Sequence, residues 1–169
     1  MAKRIDLREY QENLLARFRE QAGQDVPAVR LGMLAGGRRW LIDLHEAGEV
    51  APLMALSPVP GARPWLRGIA SVRSEVCAVN DLAALAGAAP TPLAGASLLL
   101  VNARVIERTA LLVERTLGLR KLADFSAAGR PSAAPAWIIA EYRDGVGATW
   151  QEISLTALMR EPGFIHAVA

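Results

Sequence analysis

The segment Gly68-Ile69-Ala70-Ser71-Val72, Arg73-Ser74-Glu75, Val76-Cys77-Ala78-Val79-Asn80-Asp81-Leu82 carries the clearest structural signal in the chain. Two short runs flank a polar tight turn, and in the second run Val76, Ala78 and Asn80 alternate with Cys77 and Val79. A period of two sends successive side chains to opposite faces of a strand, so Gly68–Val72 and Val76–Asn80 read as a β-hairpin. Asp81 follows as an N-cap for a short helix, Leu82–Ala86, which Gly87 stops.

The same reading extends in both directions. Val29–Leu34, the pair Gly36-Gly37 and Trp40–Leu44 form an earlier hairpin with a glycine turn. Asp43 is placed to cap a short helix over His45–Val50. Ala51–Pro64, with four prolines and a glycine, reads as an extended loop. Beyond a connector at 88–96, Ser97–Val101, Ala110–Glu114 and Leu117–Leu122 read as strands, with Val105–Thr109 extending the second. Ser126–Pro135 reads as a loop. Trp137–Glu141 and Thr149–Ile153 pair around Asp144-Gly145, and Ser154 caps a helix over Leu155–Arg160, with Pro162 just beyond it. Three times a strand runs into a capping residue and then Leu: Ile42-Asp43-Leu44, Asn80-Asp81-Leu82 and Ile153-Ser154-Leu155. Many short strands with few helices point to a mainly β protein made of two small barrels of about five strands each.

Residues 5–20 differ. Leu7, Tyr10, Leu14, Leu15 and Phe18 fall on one helical face, Asp6 and Glu9 form a capping box, and Gly23 and Pro27 end the helix. The chain therefore divides into an N-terminal helix and linker, 1–27, and a β domain, 28–169.

A length of 169 residues, 52% hydrophobic and 21% charged, suits one domain or two subdomains sharing a core. Runs such as Ser97–Val101 fall far short of the roughly 18–20 apolar residues that span a bilayer, so no membrane insertion is expected. With no apolar stretch behind Lys3-Arg4, the reading is a cytoplasmic protein. Nineteen basic residues face seventeen acidic ones, and the arginines are scattered rather than gathered into a stripe, so no nucleic-acid partner is expected.

Catalytic signals are sparse. No phosphate-binding loop, nucleophile elbow or dinucleotide fingerprint occurs. The single cysteine, Cys77, sits inside an apolar strand as a structural thiol. The two histidines, His45 and His166, lie far apart without metal-ligand spacing. Asp43, Glu46 and Glu49 read as caps and a solvated face. The expectation is a non-enzyme with no cofactor and no metal. Trp65, Arg67 and Arg73 lie near turns and are of the types that form interface hot spots, although Trp65 could equally plug a barrel end.

The order Trp40-Leu-Ile-Asp-Leu…Glu49-Val, Val59-Pro60-Gly61…Pro64-Trp65-Leu-Arg-Gly68, Val72-Arg73-Ser74…Asn80-Asp81-Leu82 resembles the CheW family of chemotaxis adaptors. Leu111-Leu-Val-Glu114-Arg115-Thr-Leu-Gly118 and Thr149-Trp150…Ile153-Ser154-Leu155 extend the resemblance over about residues 28–160. The N-terminal helix, Pro64-Trp65 and Pro162-Gly-Phe164 are most similar to the PilI branch, which serves type IV pili and twitching motility. The resemblance implies two five-stranded SH3-like barrels around a shared core. It also implies an adaptor that couples the cytoplasmic tip of a chemoreceptor to the regulatory domain of a CheA-like histidine kinase, at membrane-associated arrays. The kinase- and receptor-binding positions of the family fall on Ala47, Glu49, Gly68, Val72 and Arg73, and the groove between barrels would receive a receptor hairpin. Homo-oligomer formation is left open. In this turn the family's Asn and Gly are replaced by Ser71 and Ser74. A Cβ at Ser74 makes positive φ costlier, so the turn has another geometry, a differently shaped partner or a weakened contact.

Overall fold

A computed structural model describes residues 28–166, so the expected helix over 5–20 lies outside the described residues. The described residues form twelve strands: β1 Val29–Ala35, β2 Arg38–Asp43, β3 Ala47–Pro52, β4 Leu56–Ser57, β5 Leu66–Val72, β6 Glu75–Asp81, β7 Ser97–Val101, β8 Thr109–Val113, β9 Arg115–Lys121, β10 Ser126–Gly129, β11 Ile138–Arg143 and β12 Thr149–Ile153. One sheet has the order β10-β11-β12-β2-β1-β9 and the other β3-β7-β8-β6-β5-β4. Each contains one parallel pair, β12 with β2 and β6 with β8, among antiparallel neighbours. The chain lays down β1 and β2, builds the whole second sheet from β3 to β8, and returns to the first. The second sheet is thus an insertion within the first. The architecture is mainly β and two-part, as expected, but each sheet has six strands rather than five.

The additional strands arise from segments expected to be loops. β4 has two residues within the proline-rich stretch and β10 is Ser-Ala-Ala-Gly, so neither carries an apolar period. Both are ordered by hydrogen bonds to a neighbour, β5 and β11 respectively. The helix expected over His45–Val50 is also absent. Asp43 accepts from the His45 backbone N–H at 2.8 Å, closing a turn, and Ala47–Pro52 pairs with β7 instead. Asx turns of this kind compete locally with helix formation. Of the expected extension Val105–Thr109 only Thr109 joins β8; residues 105–108 form turns that lead into it, with Arg108 at φ 51°.

The other two strand-to-cap corners form as expected. Asp81 accepts from the backbone N–H groups of Ala83 and Ala84 and starts the helix Leu82–Leu85. Ser154 accepts from Ala157 N–H and starts the helix Leu155–Leu158. Glu46 reinforces the second corner from across the fold, accepting from Leu155 N–H at 2.8 Å, Thr156 N–H at 3.1 Å and both neighbouring hydroxyls. Its carboxylate therefore ties the β2–β3 crossover to a helix more than 100 residues later in the chain.

Between the sheets lies the main core. Met33, Trp40 and Ile42 from one side meet Leu99, Leu111 and Val113 from the other, closed by Leu82, Leu155 and Leu158. Trp40 stacks on Trp137 at 6.0 Å and donates its indole N–H to Ala35 O. The second sheet also wraps its own apolar cluster, in which Ala51 of β3 and Leu56 of β4 pack with Ala70, Val72, Leu98 and Leu112. The first sheet instead encloses a polar network. Arg30 binds Glu152 and Asp43, and Tyr142 donates to Glu152 at 2.9 Å. Phe125 and Arg120 pack against Trp150 beside it. Burial and the bond to Glu152 push the Tyr142 hydroxyl above its ordinary range. Among the described residues no helix is long and apolar enough to cross a membrane.

Candidate protein interaction surface

Strands β5 and β6 are joined by the two residues Arg73 and Ser74, in register Val72↔Glu75 and Ser71↔Val76. Two-residue hairpin loops that follow the right-handed twist of their strands are type I′ or II′ turns, and type I′ needs φ > 0 at both central positions. Arg73 and Ser74 adopt it, at φ 50° and 69°, without glycine. The turn therefore keeps a left-handed geometry at Ser74 and carries the steric cost of two Cβ atoms, each of order 1–2 kcal/mol. Of the alternatives raised by the sequence, a turn that avoids positive φ is excluded. Ser74→Gly is accordingly expected to raise unfolding stability by about 0.5–1 kcal/mol, after allowing for the extra backbone entropy of glycine. Urea denaturation would show a higher midpoint at unchanged slope, and an equal or lower midpoint would mean that the turn is unstrained.

The turn directs Arg73 toward Glu49, which lies where the β3–β7 register shifts between Ala47 and Val50. Their charged groups are 2.6 Å apart, with the Arg73 side chain 64% exposed and that of Glu49 27% exposed. An ion pair this open to solvent contributes only about 0–1 kcal/mol, so its main effect is orientation. A guanidinium has five N–H donors in a planar fork, leaving Arg73 with donors directed at solvent.

The remaining expected positions are buried, and Gly68 lies toward the other end of the hairpin from the turn, paired with Val79. Ala47 is buried in the core between the sheets, and Val72 is buried in the cluster of the second sheet. Gly68 is buried at φ 143°, where a Cβ would collide with the Ser57 carbonyl oxygen. Of the five residues, only Glu49 and Arg73 present polar groups to solvent; the other three shape the strands that carry them. On the outer face of the same hairpin, Ile69 and Val76 are 41% and 54% exposed, within four residues of Arg73 in the chain. These were not singled out from the sequence, although the alternation with buried Ala70, Val72 and Cys77 contains them.

Arg67 is not a surface hot spot. Its Nη1 donates to Asp81 Oδ2 at 2.7 Å and to Thr91 O at 3.1 Å, inside the fold. Trp65 is half-buried and stacks on Phe164 at 5.1 Å, which favours the packing alternative for it. Cys77 is buried, and burial together with the Glu75 charge pushes its thiol up, away from the nucleophilic thiolate form. Burial alone would raise the Asp43 carboxyl, but hydrogen bonds from His45 and the charge of Arg30 hold it below the usual range. Among the described residues no three His, Cys, Asp or Glu side chains gather to hold a metal ion.

Residues 31–162 match the family model of the CheW-like domain. The fold is similar to the crystal structure of the scaffolding protein TtCheW from Thermoanaerobacter tengcongensis, with a TM-score of 0.66 at 14% identity, covering 81% of this chain and 95% of that one. No curated protein sequence matches the chain.

Proposed function

The chain belongs to the CheW-like domain family, a family of non-catalytic scaffolds, and we propose that it couples a chemoreceptor to a CheA-like histidine kinase through the face carrying Arg73 and Glu49. The observation that carries this reading is the strained Arg73-Ser74 turn. Strain in a surface turn persists where the shape itself is used, and here it holds a charged fork above an apolar strand face. A helical receptor hairpin can lay an apolar stripe along the seam between the sheets, where Val105 and Ile106 are only partly buried. Arg73 then supplies charge-assisted hydrogen bonds at the rim. The kinase's regulatory domain is the second partner, and both would meet this protein in the cytoplasm, at membrane-associated arrays.

Within the family we assign it to the PilI-like branch that controls type IV pili and twitching motility. Two sequence features support that branch, Pro64-Trp65 and Pro162-Gly-Phe164, and they meet through the Trp65–Phe164 ring stack.

Arg73→Glu tests the reading, because it removes the fork and places a second carboxylate against Glu49. Calorimetry with the kinase regulatory domain and with a receptor cytoplasmic fragment should show at least a tenfold loss of affinity, with the fold intact by circular dichroism. Unchanged affinity for both partners would remove the face from consideration. A deletion strain should lose twitching and keep swimming; the reverse would assign the protein to flagellar chemotaxis.

A further inference from the structure

We propose that residues 5–20, whose sequence reads as an amphipathic helix, dock in cis along an apolar strip between the β5–β6 hairpin and β1, the strand on which the chain enters the described fold. The strip starts on β6. Asn80 pairs with Leu111, which faces the core between the sheets, and Ala78 pairs with Thr109 on the same face. Alternation puts Val76 on that face too, and Ile69 lies opposite Ala78. Among the described residues nothing covers this end of the face, where Ile69 is 41% and Val76 54% exposed.

The strip continues through the loop 102–108. Ala78 N–H donates to Arg108 O at 2.8 Å, which lays the loop beside β6. Val105 and Ile106 pack on the core from this loop and stay partly open to solvent. At its start the loop is pinned by Asn102, whose side-chain amide donates to His45 O at 3.0 Å and whose backbone N–H donates to Glu46 O at 2.9 Å. That corner follows Asp43, the register partner of Arg30. Next to Arg30, Val29 and, from β9, Leu119 complete the strip on the first sheet, again only partly buried.

Three features select the chain's own N-terminal segment as the occupant. The first is position. Ala28 O accepts from Leu122 N–H at 2.8 Å, so residues 1–27 join the fold at the Val29 end of the strip. The second is reach, since residues 21–27 can span up to about 23–25 Å. The third is the apolar stripe itself. Leu7, Tyr10, Leu14, Leu15 and Phe18 fall on one face over about 16 Å of helix axis. A helix of this length is marginal in water unless such a face is buried, and exposed Ile69 and Val76 are covered by the same contact. The shortest path puts Phe18 nearest Leu119 and Leu7 nearest Val76. Val105 and Ile106 also lie on the seam assigned above to a receptor hairpin, so the docked segment keeps that seam closed until a partner displaces it. This consequence, unlike the docking, rests on the adaptor reading.

Hydrogen exchange on the full wild-type chain is the first test. Amides of residues 8–18 should exchange at least ten times more slowly than in a Leu14→Glu, Phe18→Glu variant, with the β domain unchanged. Glu9→Lys with Glu12→Lys, on the opposite helix face, should stay within twofold of wild type. The second test places cysteine pairs in a Cys77→Ser background. Leu7→Cys with Val76→Cys, and Phe18→Cys with Leu119→Cys, should form intrachain disulfides in at least tenfold higher yield than Glu9→Cys with Val76→Cys, at any protein concentration. Equal exchange in the wild-type and Leu14→Glu, Phe18→Glu chains overturns the proposal, as do equal disulfide yields or disulfides formed only between chains. The Leu14→Glu, Phe18→Glu variant should also bind a receptor cytoplasmic fragment at least fivefold more tightly. Unchanged receptor affinity beside positive exchange and disulfide results would sustain the docking and remove the seam from the adaptor reading.

Discussion

Asp81→Ala should destabilise the protein by about 3–5 kcal/mol, the range for removing one partner of a buried charge pair. Asp81 is fully buried at the end of β6. Its Oδ2 accepts from Arg67 Nη1 and Thr91 N–H, each at 2.7 Å, and its Oδ1 accepts from the Thr91 hydroxyl at 2.7 Å and Ala83 N–H at 3.0 Å. One carboxylate thus joins β5, the helix Leu82–Leu85 and the connector before β7. Truncation leaves the Arg67 guanidinium with only the Thr91 carbonyl oxygen and leaves the buried N–H groups of Ala83 and Thr91 without their acceptor. For a domain of this size the melting temperature should fall by roughly 6–20 °C. A loss below about 1 kcal/mol would mean that the three segments are held together by apolar packing alone. Arg67→Leu in the Asp81→Ala background should cost much less than Arg67→Leu alone, because the pair acts as a unit.

The second large effect is expected at Gly68. The residue has φ 143°, a region that L side chains rarely adopt, and an added Cβ would meet the Ser57 carbonyl of the short strand β4. Gly68→Ala should therefore displace β4 from β5 at a cost of about 2–5 kcal/mol, the sum of backbone strain and overpacking. This separates two ways of losing a partner. Arg73→Glu should abolish binding while stability changes by less than about 1 kcal/mol, since the lost ion pair is exposed. Gly68→Ala should lose binding together with stability. A Gly68→Ala protein with wild-type stability and no binding would instead place the partner directly against the backbone of that position.

The hairpin between Gly68 and Asn80, the Asp81 and Ser154 caps and the closing strands around Asp144 were legible because each depends on neighbours close in the chain. Alternation, a capping oxygen and a glycine act over a few residues. Glu46 shows where that stops. Its carboxylate caps a helix, as acidic residues near Asp43 were expected to do, but the helix it caps begins at Leu155. The helix expected over His45–Val50 failed for a related reason. Asp43 can serve equally as an N-cap or close an Asx turn, and the pairing of β3 with β7 selects the second. Strands β4 and β10 carry no period at all and exist through their partners.

The candidate surface divides along the same line. Arg73, Gly68, Val72, Ala47 and Glu49 could be named as expected binding positions from the family resemblance. Their different roles could not. Burial makes Ala47, Val72 and Gly68 determinants of shape, and a 2.6 Å approach between β3 and the β5–β6 turn joins Glu49 to Arg73. Arg67, of the same residue type and six positions earlier, is turned inward to Asp81.

By itself, then, the sequence determined the strand-rich character of the chain, most of its local corners and the family to which it belongs, because periodicity and capping are properties of adjacent residues. Only the tertiary structure decided which charges face solvent and which face each other. It also decided that the second sheet is inserted within the first, and that the Glu46 carboxylate reaches a helix beginning at Leu155. Those features depend on segments distant in the chain being packed together, where burial and the pairing of polar groups select among arrangements that local sequence leaves equally open.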